Sequence, residues 1–441
     1  MSGTGRQNLI VNERGVDVHY YADGLVRHEK MHDGWATTEN YVEEEFNYTP
    51  TSVANAYGQT CVFELDKRGD KWIGVPYLIW TRSAGAAADI TNMACFADYE
   101  GCHSIAQMRW IYNNKEIFRI SGERIYRENV EAKYCEDFAR FSELTCGGLS
   151  LAERQVAFAE SKTLVLPLYV PWRHLKKSIT AIGLPNKVRV EVDFYDYKKC
   201  CRFPPGSNAT FSGTAPTLSN IYYRQRFVHF KEATRNNSFL RTKQNAPIVH
   251  LTNQVEAQYQ ELISSGTAQF ILPLRNIKNN CYVMRILLRA NADLNTANRL
   301  EFMNYYLPYS VYLQDQGTPI TNTYYPWKLN QIDNIGLMHP ASQPLVPWAI
   351  INFCNFEWVE ASEDDCYGGR TIGKYNNPEL VVNFNPGVTS IAKWDSWPYF
   401  PNLMAINSSR TGCAFDLQMD VEGQIHQALL QHEGDFRRYL L

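Results

Sequence analysis

The sequence predicts an all-β chain of two β-sandwiches in tandem, on three observations. Aromatic residues make up 13% of the 441 positions (27 Tyr, 21 Phe, 10 Trp), and aromatic and β-branched side chains fill pleated, half-buried strands better than helices. Short alternating apolar segments recur in two runs, on either side of a charged, Asn-rich stretch that starts at 231. Turn residues punctuate both runs at regular intervals, which favours a sandwich or a jelly roll over a parallel α/β sheet. At about 150 residues per domain the length allows two or three domains, and since all-β domains often exceed about 200 residues, two are expected. The expected division is an N-terminal arm at 1–40, a first sandwich at 41–231, a link at 232–246 and a second sandwich at 247–441.

The arm is polar and mixed in sign, with His19, His28 and His32 among acids and bases. The run Glu43-Glu44-Glu45 reads as a solvated face. Cys61, Phe63 and Leu65 alternate with polar partners, then Lys67-Arg68-Gly69-Asp70 supplies a turn and Trp72–Trp80 a second strand, together a hairpin signal. Ala106–Tyr112 and Glu116–Ile120 form another pair around Asn113-Asn114, since Asn tolerates the positive φ of a tight turn. The period then changes. Val130, Tyr134, Phe138, Phe141 and Leu144 make a helical stripe, Gly147-Gly148 breaks it, and Leu151–Glu160 reads as a second short helix. Strands follow at Thr163–Val170, Lys187–Phe194 and Ile221–Phe230, with a long loop over 203–220. In the second half, strands are expected at Val249–Tyr259, Ala268–Leu274, Tyr282–Leu288, Ser310–Leu313, Trp348–Val359, Leu380–Phe384 and Cys413–Val421.

Several function classes recede at once. The formal net charge of -3 gives no global reason to bind nucleic acid or an anionic membrane. No segment has the roughly 18 consecutive apolar residues of a membrane span. The opening MSGTGRQNLIVNERG has no apolar region, so no secretory signal is expected, and Ser2 stands where myristoylation needs Gly. Without a signal, the sequons at Asn47, Asn208, Asn236 and Asn407 read as chance. Eleven scattered Cys read as reduced, intracellular core thiols.

Motifs with chemical meaning are weak. Gly368-Gly-Arg-Thr-Ile-Gly373-Lys374 has P-loop spacing, but Tyr375 stands where Ser or Thr would hold Mg²⁺, and Pro378 forbids the following helix. A Gly-rich exposed connection over 366–376 is expected instead. Cys95, Cys102 and His103 cluster without C-x-x-C spacing, and His28 with His32 lacks a third ligand, so no zinc site is expected. No nucleophile elbow or catalytic Cys signature occurs, and nothing marks a carboxylate pair. Arg173, His174, Lys176 and Lys177, and Lys198, Lys199 and Arg202, are small basic patches and weak evidence for phosphate binding. Trp394-Asp-Ser-Trp397-Pro-Tyr-Phe400 suits a core or subunit interface better than a sugar site. No catalytic, cofactor or metal residue is therefore assigned.

The strand order also carries a resemblance. TCVFELD at Thr60–Asp66, followed by Arg68-Gly69-Asp70 and a long apolar strand, resembles the opening of the first jelly roll in major capsid proteins of nucleocytoplasmic large DNA viruses. LVLPLYVPW at Leu164–Trp172, IGLP at Ile182–Pro185 and Val190–Phe194 are similar to that family's proline-bounded aromatic strand, helical loop and Leu-Pro-led strand. Tyr222–Phe230, Arg235 and Ile248–Gln254 resemble its crossing between jelly rolls; Phe270–Leu274 and Lys278–Val283 resemble the start of the second. The chain departs in places. Asn113-Asn114 replaces a glycine pair, the Asn-Pro-Gly before the Leu-Pro strand is absent, and the C-terminal fifth matches poorly.

The resemblance implies two eight-stranded jelly rolls, with short helices in long loops, in a non-enzymatic viral capsid protein that needs no cofactor. It implies a homotrimer forming pseudo-hexagonal capsomers of an icosahedral shell, in contact with neighbouring capsomers and minor capsid proteins. Sequence-specific nucleic-acid binding is not implied. Synthesis and assembly in the host cytoplasm and residence in the virion follow. Three alternatives stay open on the residues alone: a lectin-like tandem sandwich, an assembly scaffold of the same fold, and a β-sandwich hydrolase.

Overall fold

The computed structural model describes residues 41–66, 68–112, 114–131, 138–168, 170, 187–204, 207, 209–230, 248–255, 269–274, 280–281, 283–290, 307–332, 349–353, 370–384, 391–407 and 412–414. The expected arm and link lie outside them.

The first part of the chain forms strands β1 (Tyr41–Tyr48), β2 (Thr60–Leu65), β3 (Lys71–Arg82), β4 (Cys95–Phe96), β5 (Ile105–Tyr112), β6 (Lys115–Ile120), β7 (Lys162–Pro167), β8 (Val188–Phe194), β9 (Cys201–Arg202) and β10 (Leu218–Phe230). One sheet runs β1-β10-β3-β7 and the other β2-β8-β5-β6, with β4 and β9 paired separately. All ladders are antiparallel. The alternation in sequence is the alternation in space. On β8, Val188, Val190, Val192 and Phe194 are buried, while outward Glu191 pairs with Arg109 at 2.8 Å and Arg189 at 2.7 Å. Trp72, Trp80, Trp110, Phe63 and Phe227 fill the space between the sheets.

One polar chain crosses this core. Trp110 Nε1 donates to Tyr223 Oη (3.4 Å), which donates to Gln225 Oε1 (3.3 Å); Gln225 Nε2 then donates to the Ile73 and Arg226 carbonyls, 3.0 Å each. The register of β3 on β10 slips between Arg224 and Arg226, beside Gly74 at φ +71°. The buried amide thus satisfies backbone at a bulge, where an unpaired carbonyl would cost stability.

The later part forms β11 (Ile248–Val255), β12 (Gln269–Pro273), β13 (Asn280–Cys281), β14 (Val283–Ala290), β15 (Ser310–Asp315), β16 (Thr318–Pro319), β17 (Ala349–Asn352), β18 (Arg370–Thr371), β19 (Pro378–Asn383), β20 (Ile391–Asn407) and β21 (Gly412–Ala414). Its sheets run β11-β20-β14-β17 and β12-β19-β15-β16, with β13 and β18 paired and β21 added to β20. Leu272, Leu313, Leu329, Ile351, Leu380 and Val382 are among its core residues. Apart from the separate β4–β9 and β13–β18 pairs and the added β21, the described strands of each part number one to eight in chain order. Both parts then read 1-8-3-6 in one sheet and 2-7-4-5 in the other, which is the jelly-roll order. The expected all-β class, two tandem eight-stranded jelly rolls, is what the chain forms.

One expected pairing is corrected. β2 and β3 do not form a hairpin but lie in opposite sheets, β2 on β8 and β3 between β10 and β7, so the connection between them crosses the sandwich. The other differences are local. The acidic run keeps the solvated face expected of it, with Glu43 and Glu45 exposed, but it lies on a strand, β1. Glu45 pairs with Arg226 at 2.8 Å and Glu44 with Arg68 at 3.2 Å and His229 at 2.9 Å, so the acidic run fastens an edge strand. The described residues of the expected helical stripe lie on α3 (Gly122–Glu131) and α4 (Phe138–Thr145), after the short α1 (Ala87–Thr91) and α2 (Glu100–His103) and before α5 (Leu151–Ala159) and α6 (Tyr197–Cys200). Tyr134 lies outside the described residues. β20 falls where Pro398 and Pro401 argue against a strand, since proline cannot donate to a ladder. The pairing explains the exception. Among the described residues Pro398 is paired with Met284 of β14 alone and Pro401 with Asn253 of β11 alone, so each proline there has one strand neighbour.

Candidate functional site

Connections alternate between the ends of an antiparallel jelly roll. In the first one, the turns at 68–70 and Asn114 lie at one end, whereas 49–59, 83–104 and the described parts of 121–161 and 195–217 lie at the other, the loop end. Several of these described connections meet at Arg82, the last residue of β3.

Arg82 has no exposed surface, yet its guanidinium is fully used. Nε donates to Glu100 Oε1 at 2.5 Å and Nη2 to Glu100 Oε2 at 3.1 Å. Nη2 also reaches the Ala157 carbonyl at 2.7 Å; Nη1 reaches those of Glu160 at 2.5 Å and Ser83 at 3.4 Å. Tyr57 Oη donates to Glu100 Oε1 at 3.4 Å, and the Arg82 guanidinium carbon lies 4.6 Å from the centre of the Phe96 ring. Burial works to lower the Arg82 pKa, but the Glu100 charge and hydrogen bonds outweigh it and the net shift is upward. Burial, then the Glu100 charge, pushes Tyr57 well up, so it stays a neutral donor. A second tie joins two loops nearby: Asp89, also buried, accepts from Ser212 N (2.8 Å) and Ser212 Oγ (2.9 Å).

The structure brings the sequence's thiol cluster together with a second one. Cys95 on β4 lies opposite Arg202 on β9, and Phe96 opposite Cys201. Cys200 Sγ donates to the carbonyl of His103 at 3.6 Å. Burial pushes the Cys102 and Cys201 thiols well above their ordinary range, opposite to what a thiolate nucleophile or metal ligand needs. Cys61, Cys95, Cys102, Cys146, Cys200, Cys201 and Cys281 are all buried. Among the described residues no group of His, Cys, Asp and Glu could hold a metal ion.

The other candidates disperse. Arg370 and Thr371 form β18, and Ile372–Lys374 is one turn of 3-10 helix. No α-helix follows, because β19 starts at Pro378. The expectation of an exposed connection over 366–376 is corrected in part. Gly373 and Lys374 are exposed, but Ile372 is in the core and Arg370 Nη2 donates to the Ile320 carbonyl at 2.8 Å; residues 366–369 lie outside the described set. Lys198 and Lys199 are exposed on α6, with Arg202 half-buried on β9. His28, His32 and Arg173–Lys177 lie outside the described residues. Trp394–Phe400 forms part of β20.

Sequence reasoning missed Arg82 and Glu100, which no spacing connects. It also missed an exposed aromatic group of Tyr309, Tyr325 and Trp327 (50%, 42% and 54% exposed). Tyr309 and Tyr325 meet edge to face at 6.4 Å, and Trp327 opens a π-helix over Trp327–Ile332. Among the described residues no helix is long and apolar enough to cross a membrane.

No protein-family model and no curated protein sequence matches the chain. Solved structures do. The chain is similar to PBCV-1 VP54, solved as a crystal structure fitted into a reconstruction of the virophage Sputnik, with a TM-score of 0.64 at 10% identity over 86% of this chain and 97% of that one. It is similar to the quasi-atomic model of the PBCV-1 virus capsid at 0.63 and 11% identity, over 86% and 97%. The Faustovirus major capsid protein gives 0.61 at 10% identity, over 90% and 98%. Likeness at such low identity concerns fold, and the fold in common is the double jelly roll.

Proposed function

We propose that the chain is a structural subunit of a viral capsid. The observation that carries this reading is the tandem of two jelly rolls with one strand order, matched along nearly the whole of the PBCV-1 and Faustovirus capsid structures. In this reading the arm, 41–231, 232–246 and 247–441 are the working units. Three copies form a pseudo-hexagonal capsomer of an icosahedral shell. The partners are the chain itself, neighbouring capsomers and minor capsid proteins, with no sequence-specific nucleic-acid contact. The protein is made and assembled in host cytoplasm and ends in the virion.

Two rigid sandwiches suit the role, because their side faces are broad enough for the roughly 2,000 Å² or more that obligate interfaces bury. Mass measurement in solution tests it. A stable trimer at micromolar concentration is expected, and a monomer at every salt concentration would overturn the reading. The reading includes no catalysis and no cofactor: calorimetry with ATP and Mg²⁺ should give no heat, and binding that vanishes in Lys374→Ala would contradict it. One observation favours a second reading, carbohydrate binding: the exposed Tyr309, Tyr325 and Trp327 rings could stack on sugars. A glycan array with wild type and Trp327→Ala separates the two.

A further inference from the structure

We propose that the loop end of the first jelly roll is one cooperative unit that opens as a body, with the Arg82–Glu100 pair as its lock. The inference does not depend on the capsid reading. A guanidinium carries five N–H donors, and Arg82 directs all five at acceptors from three segments: its own β3 end, α2 and the C-terminal end of α5. Tyr57 adds the 49–59 connection through Glu100, and Asp89 ties 195–217 to 83–104. Ser83, whose carbonyl accepts from Arg82, is also bonded to Thr217 through its hydroxyl and its N–H, so all four loops are linked within two hydrogen-bonded steps of one ion pair.

The loops need such a lock. Helices as short as α5 are marginal alone, and α5 keeps its place through Phe158, buried 5.2 Å from the Phe96 ring, and the two carbonyls held by Arg82. Val156 on α5 is 60% exposed, as is Met93, whose carbonyl accepts from Gln155. Little of α5 beyond Phe158 is thus buried, whereas elsewhere in the unit Tyr57 packs on Phe96, and Tyr99 on Tyr126 and Phe141. That shared aromatic contact set favours opening as one body over opening piece by piece. The sheets beneath have their own ladders and aromatic core, so the loops can open while the sandwich stays closed. Local openings of this kind occupy the low end of a protein's stability range.

Native-state hydrogen exchange on the full chain, in its solution assembly, tests this. In wild type, amides of 95–104, 151–160 and 197–201 should share one opening at low denaturant, below that of β5, β8 and β10. Arg82→Met leaves Glu100 buried and half-paired, and should speed exchange in those segments by about tenfold or more. Strand amides should stay within about twofold, since sites in independent units do not couple. Glu100→Gln keeps the shape but removes the charge, and should give the same pattern more weakly. A uniform rise over loops and strands, no rise at all, or wild-type loops that open one at a time would each overturn the proposal. The wild-type and Glu100→Gln results decide it even if Arg82→Met does not fold.

Discussion

The two ends of the first jelly roll reverse the chain by different physics. At the turn end the work is local. Gly69 has φ +72° and Asn114 φ +62°, backbone that Gly adopts freely and Asn tolerates. At the loop end nothing local closes the structure. Arg82 and Glu100 are joined through a fold that also delivers Ala157 and Glu160. A turn can be specified by two residues, whereas a long loop needs partners brought from elsewhere in the chain. Damage at the turn end should therefore spread through the sheets, and damage at the loop end should stay there.

The largest effect is expected at the lock. Arg82→Lys keeps the charge but loses the planar fork, leaving carbonyls and one carboxylate oxygen without donors. The loop end should lose about 3–5 kcal/mol, the scale of breaking a buried pair, read as exchange protection in α2 and α5. Next comes the turn end. An added Cβ at Gly69 would lie 2.6 Å from Phe227 Cβ in left-handed backbone, so Gly69→Ala should cost about 2–4 kcal/mol of global stability from strain plus overpacking. Chemical denaturation should show one shifted transition, and a change confined to residues near 69 would blur the contrast between the ends.

Ser150→Ala is a milder probe of the loop end. Ser150 and Glu153 form a reciprocal capping box on α5, so its loss should cost about 1 kcal/mol, visible as faster exchange in α5 alone. Acid should act last and least. The hydrogen bond with His229 holds Glu44 below its ordinary 4.5, and that with Ser150 does the same for Glu153. A lowered carboxyl pKa favours the folded, ionised form, so its contribution is present above about pH 4.5 and is lost as pH falls through the lowered value. Exchange in β1 and α5 should quicken over that window, and Glu44→Gln should flatten the response in β1 only.

Legibility followed the range of the interactions. Cys61, Phe63 and Leu65, or Val188, Val190 and Val192, alternate visibly because a strand's side-chain period is two, and these segments were readable as strands. The tight turn at Asn114 was readable for the same reason, its cause being its own side chain. β1 was hidden, because three consecutive acids look solvated until Arg226, Arg68 and His229 stand across from them. β20 was hidden because a proline is judged by what its missing N–H would have faced, and that depends on how far β11 and β14 extend along it.

The sequence by itself determined the all-β class, the two runs of strands and most turn positions, because period and turn chemistry are properties of neighbouring residues. Only the tertiary structure decided how strands pair beyond the β5–β6 hairpin, where β20 lies and that Arg82 is a keystone. Those outcomes depend on contacts between residues far apart in the chain, such as Arg82 with Glu160 or Trp110 with Tyr223. A polar residue at the end of an apolar strand looks the same in sequence whether it ends in solvent or in a cage of carbonyls. Burial supplies the difference, since a charge with no water around it persists only where every donor finds an acceptor.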